Sequence, residues 1–150
     1  IAARSGMSLA ALMSGICLAN AGLGVVHGFA SSVGGMLDIP HGVVCGTLMA
    51  PANRIIVREL RSGRGRQEVL AKYALLGRLF TGKDGKPDDW YTDGFIDFLY
   101  TLSEELRLPR LGHYGLERNL LAEICRNTGQ KNNPVRLDET ELEEILTERL

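Results

Sequence analysis

The stretch "GLGVVHGFASSVGGMLDIPHGVVCGTLMAP", residues 22–51, holds two of the chain's three histidines and a single formal charge, Asp38. A histidine in an uncharged segment is ordinarily a core residue whose ring nitrogens are satisfied by backbone groups. Two of them, His27 and His41, flank a Gly-Gly loop that reverses the chain, so their imidazoles can meet at one point. Neutral imidazoles suit iron, zinc, copper or nickel, whereas calcium and magnesium want several oxygens. On spacing alone, the core and the metal readings both stay open.

Outward from this stretch the charge is unevenly spread. Of 35 charged residues, only Arg4 and Asp38 lie in the first 53 positions. That pattern predicts a first third that is interior to something larger than this chain, while the other 33 charges fall in the remaining 97 residues. The chain is long enough for one globular core and has a net charge of −1, which gives no general reason to expect nucleic acid. Residues 7–26 form a 20-residue uncharged run of membrane-spanning length. Ser8, Ser14, Asn20 and several glycines dilute it, and no aromatic belt or basic flank accompanies it, so a buried core helix is the expectation. Cys17, Cys45 and Cys125 are odd in number and sit among apolar neighbours, which predicts buried free thiols and a cytoplasmic protein. The chain opens on Ile1 with no signal pattern and is read as a piece of a longer protein.

Helix signals dominate and strand alternation is nearly absent, which predicts one all-α helical bundle over residues 1–150. Expected helices run over 5–21, from the Asp38/Pro40 start signal to Arg61, over 66–79, 90–106 and 116–126, and from a capping box at Asp138 and Glu141 to the C-terminus. Residues 22–37 are expected to be connection, with His27 closing a Gly-rich helix end and Asp38 capping the next helix. Five arginines between positions 54 and 66, and six carboxylates between Asp138 and Glu148, are expected to be solvated helix faces without partners. His113 has no partner pattern and is read as structural.

The ordered series G-L-G-x-x-H, Gly-Gly and D-x-P-H-G in "NAGLGVVHGFASSVGGMLDIPHGVVCGTLMAP" closely resembles the signature of the iron-containing alcohol dehydrogenase family. "LGRLF" and "NNPVRLDETELEEIL" extend the resemblance over most of the chain. It implies the later part of the C-terminal, all-helical metal domain of a dehydroquinate synthase-like fold, preceded elsewhere by the rest of that domain and a dinucleotide-binding domain. It implies that His27 and His41 are the last two of four metal ligands, the other aspartate and histidine lying upstream. It further implies a divalent metal, iron foremost with zinc as an alternative, an NAD or NADP cofactor, and hydride transfer between an alcohol and an aldehyde or ketone. Leu18 and Leu23 fall where relatives line the substrate cleft, with a plain core role as the alternative. Ser31 stands where many relatives carry a further histidine, which puts the proton path in doubt.

The resemblance also implies that the 150 residues alone are catalytically silent and bind metal weakly, while the charge-poor residues 5–53 predict an uncovered apolar face that is masked by self-association into a homo-oligomer. A metal-independent reductase of the same superfamily, of the maleylacetate reductase kind, keeps the fold but gives no reason for two histidines. A non-catalytic helical interaction module is the third reading, and the charge-poor first third speaks against it.

Overall fold

A computed structural model describes all 150 residues and contains seven α-helices and no strand. In chain order these are α1 (Ala2–Ala21), α2 (Val25–Gly34), α3 (His41–Arg61), α4 (Glu68–Thr81), α5 (Asp88–Glu105), α6 (Arg118–Asn127) and α7 (Glu139–Glu148), with a 3-10 turn at Leu111–Tyr114. The expected all-α bundle is what forms, and five of its helices start within two residues of the positions read from the sequence, α1 starting three earlier than expected.

The bundle is built around α3, which packs against α2, α4, α5 and α7. Val44, Leu48, Ile55 and Leu60 are buried along it. Val44, Leu48 and Ile55 recur at four and seven residues, the spacing of one helix face. Helices α4 and α5 form a close antiparallel pair because Gly77 presents no side chain: a Cβ there would overlap the backbone carbonyl of Tyr91. The Tyr91 hydroxyl then holds the connecting turn, accepting from the Lys86 N–H at 3.1 Å and donating to the Lys83 carbonyl at 3.0 Å. Helix α7 begins with the expected capping box, in which Asp138 accepts from the Glu141 N–H and the Glu141 carboxylate accepts from the Asp138 N–H.

Four expectations are corrected. First, residues 25–34 are helix α2, not connection. Val25, Phe29 and Val33 recur at intervals of four, and all three are fully buried, which outweighs the glycines around them. His27 therefore opens a helix instead of closing one. Second, Asp38 does not cap α3. The cap residue is Pro40, its carbonyl accepts from the Val43 and Val44 N–H groups, and Asp38 is exposed two residues too early to reach the first turn.

Third, α1 is not a core helix of this chain. None of its residues is buried, and Met7, Leu12 and Met13 are each more than half exposed. The uncharged run is also broken at Gly22, where φ is 71°, so it is not one continuous helix. By length and composition α1 is apolar enough to cross a bilayer. Cys17 on this helix is likewise exposed, Cys45 is half-buried and only Cys125 is buried as expected.

Fourth, the two charge runs are partners. Arg54 donates to Glu144 and Glu148 at 3.1 and 2.6 Å, and Arg58 donates to both oxygens of Glu144 at 3.0 and 2.8 Å. Arg64 bridges Glu59 and Glu141 at 2.8 and 2.5 Å. Basic α3 and acidic α7 thus lie face to face as an ion-pair network. Such a network orients the two helices even where each exposed pair contributes under about 1 kcal/mol.

Candidate metal centre

The first turns of α2 and α3 meet. His27 is the third residue of α2 and His41 the first of α3, and their ring centroids are 5.4 Å apart with planes tilted by 53°. This requires the chain to return along α2 before α3 begins. From position 27 to position 34 a helix rises roughly 10 Å, and the six residues 35–40 can span up to about 20 Å, so the return fits without strain. The Gly-Gly turn starts it, with the Met36 and Leu37 N–H groups both donating to the Val33 carbonyl at 3.0 and 2.9 Å. Ile39, 6% exposed, anchors the loop in the core immediately before Pro40.

A third donor lies one turn along α3. Cys45 Sγ is 3.4 Å from His41 Nε2, and the donor atoms of His27, His41 and Cys45 all lie within 4.8 Å of one another. His27 and Cys45 are half-buried and His41 is exposed, so the cluster opens at the surface. Burial raises the Cys45 thiol above its ordinary range. Two tilted imidazoles presenting nitrogens to one point are a donor set that fits a borderline divalent ion. No carboxylate of the chain joins them, Asp38 included.

The segment 128–137 backs this site. A Cβ on Gly28, next to His27, would overlap the Gly129 carbonyl oxygen, so α2 and the loop touch backbone to backbone. Four residues on, the Ser32 and Thr128 hydroxyls are hydrogen-bonded to each other at 2.9 Å, and Thr128 Oγ1 lies 2.7 Å from the Ile124 carbonyl. Asn133 Oδ1 accepts from the Val25 N–H at 3.2 Å, while its amide donates to the Val135 carbonyl at 2.8 Å. Gly24, at the cap position of α2, has no side chain for this job, so Asn133 supplies the cap from 108 residues away. Gln130 closes the loop on itself through two bonds to Leu137, at 2.9 and 2.8 Å.

The other residues singled out from the sequence do not join the cluster. Ser31 is exposed on α2, one turn beyond His27. Leu18, near the end of α1, and Leu23, in the α1–α2 link, are 48% and 40% exposed, so neither has the core role held open for it. His113 is exposed in the 3-10 turn, edge-on to Tyr114. Sequence reading missed Cys45 and Asn133. The four-residue step from His41 to Cys45 was a visible helical signal, whereas nothing local pointed from Asn133 to Val25.

Comparison with known proteins gives the family and the fold. Residues 1–150 match the Fe-containing alcohol dehydrogenase family, C-terminal. The chain is 41% identical over 69 residues to the probable alcohol dehydrogenase EutG of Escherichia coli, covering 44% of this chain and 18% of that protein. It is 45% identical over 47 residues to the 1,3-propanediol dehydrogenase of Klebsiella pneumoniae, covering 31% and 12%. With the choline dehydrogenase of Bacillus subtilis it shares 23% identity over 124 residues, covering 83% and 29%. The chain thus spans less than a third of the length of these curated relatives. In fold, it superposes on a crystal structure of 1,3-propanediol oxidoreductase with a TM-score of 0.80 at 24% identity, covering 96% of this chain and 37% of that one. The chain belongs to the iron-containing alcohol dehydrogenase family and forms its C-terminal helical domain.

Proposed function

We propose that the chain is the metal-binding helical part of an NAD(P)-linked alcohol dehydrogenase, with His27 and His41 as two of the ligands of a divalent ion, iron or zinc. The observation that carries this reading is the convergence of the two imidazoles from the first turns of consecutive helices. When bound, such an ion supplies Lewis acidity toward the oxygen of an alcohol or carbonyl substrate.

This chain's own residues have three tasks. His27 and His41 hold the ion, and the backing loop fixes the α2 turn from which His27 projects. Ser31 offers a hydroxyl that donates a hydrogen bond to substrate or cofactor, but near neutral pH it cannot replace an imidazole as acid or base. Leu18 and Leu23 present exposed apolar surface, which in the whole protein would exclude water from a small alcohol or aldehyde. The remaining ligands and the nicotinamide site are assigned to residues outside these 150, so the chain by itself is catalytically silent. The intact protein is proposed to be cytoplasmic and oligomeric.

The test is turnover by the whole protein. Nicotinamide-linked reduction of a small aldehyde should disappear on metal removal, return on reloading and be lost in His41→Ala. Activity that survives metal removal would favour the metal-independent reductase chemistry instead.

A further inference from the structure

We propose that Arg64 is a positioning residue for the candidate metal centre: it holds segment 132–136 so that Asn133 stays on the first turn of α2 and sets the direction of His27. The inference rests on the metal reading of His27 and His41 and adds to it a residue outside the cluster.

Arg64 lies in the link between α3 and α4. Its Nη1 donates to the Glu59 and Glu141 carboxylates at 2.8 and 2.5 Å, and its Nη2 donates to the Arg136 carbonyl at 2.7 Å. Both carboxylates are buried, 9% and 7% exposed, so the guanidinium is anchored to the core. A guanidinium presents its N–H groups as a rigid planar fork, which an ammonium does not. Arg64 therefore ties α3, the first turn of α7 and the segment before α7 to one point.

Its neighbours grip the same segment. The Arg66 N–H donates to the Pro134 carbonyl at 3.0 Å, and the Arg66 guanidinium reaches the Asn132 carbonyl at 3.4 Å. Gly65 sits at a φ of 70°, and a Cβ there would come 2.5 Å from the Pro134 oxygen and 2.7 Å from Val135 Cβ. The carbonyls of residues 132, 134 and 136 are thus all taken by Arg64 and Arg66. An ion pair that served only to orient α3 on α7 would need Glu59 and Glu141 but none of these backbone contacts.

Asn133 lies inside the gripped stretch and spans the remaining gap. Its Oδ1 accepts from the Val25 N–H at 3.2 Å, and a Cβ on Gly24 would come 3.0 Å from that oxygen. Val25 is two residues before His27 in the same helical turn, so a displacement of Asn133 passes to the imidazole with no loop between them.

The experiment uses the whole protein, stripped of metal and titrated with zinc against a chromophoric chelator. Arg64→Met and Asn133→Ala are each expected to bind zinc about tenfold more weakly or worse. The double variant should bind no more weakly than Asn133→Ala, because both residues act along one path. Arg61→Met, which breaks the pair with Asp93 from the end of the same helix, should keep wild-type affinity. Hydrogen exchange of the metal-free protein should quicken over residues 22–28 in Arg64→Met. Wild-type affinity in Arg64→Met, losses that multiply in the double variant, an equal loss in Arg61→Met, or exchange quickened only in α7 and the end of α3 would each overturn the proposal while leaving the histidine centre standing. Wild-type zinc affinity in His41→Ala would remove the centre and the proposal together. If Arg64→Met fails to fold, Arg64→Lys, which keeps a positive charge between the carboxylates without the fork, decides by the same criteria.

Discussion

Replacing Gly28 by alanine tests whether segment 128–137 positions the histidine turn. A Cβ at position 28 would sit 3.0 Å from the Gly129 carbonyl carbon and closer still to its oxygen, where ordinary contact begins at 3.4 Å. The carbon alone demands a retreat of about 0.4 Å and the oxygen demands more, between two backbones that have no flexible side chain to yield. Overpacking of this kind costs about 1–3 kcal/mol. Retreat of the loop also strains the buried Ser32–Thr128 bond, worth about 1 kcal/mol net, and the Asn133 cap on α2, worth about as much. The expected loss is roughly 2–4 kcal/mol of unfolding free energy. Because His27 adjoins Gly28, zinc affinity should fall about 10- to 100-fold, the usual cost of disturbing a group that orients a ligand.

Gly34→Ala provides the control on the same helix. A Cβ there meets nothing within 4 Å, so the change should be neutral or mildly stabilising. Urea denaturation followed by circular dichroism, with a zinc titration of each variant, reads both effects in the whole protein. If Gly28→Ala is as stable as Gly34→Ala and binds zinc equally well, the loop does not position α2 and the reasoning fails.

Two further outcomes follow from the same structure. Glu59 is buried and held below the ordinary carboxylate range by the hydrogen bond from Arg58 first and that from Arg64 next, against the opposing effect of burial. Its contribution to stability is therefore present above the unfolded-state value of about 4.3 and is lost as the pH falls through its lower folded value; urea midpoints between pH 6 and 3, as round working limits of about that span, should drop less steeply in Glu59→Gln, and parallel curves would contradict the assignment. The 150 residues expressed alone should self-associate, because α1 exposes Met7, Leu9, Leu12, Met13 and Ile16 through its middle; a monodisperse monomer by light scattering would show that this surface needs no cover.

The parts of the fold that were legible in the sequence are those set by local pattern. Helices α3 to α7 follow from apolar spacing and from caps such as Asp138 with Glu141, because both signals are complete within a few residues. Helix α2 was obscured by Gly24, Gly28, Gly34 and Gly35, although Val25, Phe29 and Val33 carried its period. Composition rightly marked residues 1–53 as charge-poor but could not say what covers α1, since burial is a property of the partner surface as well as of the helix. The pairing of Arg54, Arg58 and Arg64 with α7 was hidden for a related reason: each pair joins residues at least 77 positions apart. At the site, the order and type of residues singled out His27 and His41. Their convergence, the place of Cys45 beside them and the cap from Asn133 depend on how the helices cross, which no local pattern encodes.

Elemental metal analysis of the whole protein beside its His27→Ala and His41→Ala variants tests the central claim most directly. Near-stoichiometric iron or zinc in the wild type, largely lost in both folded variants, is the predicted result. A wild-type protein that is folded and active with a nicotinamide cofactor yet free of metal, or variants that retain full metal, would contradict it.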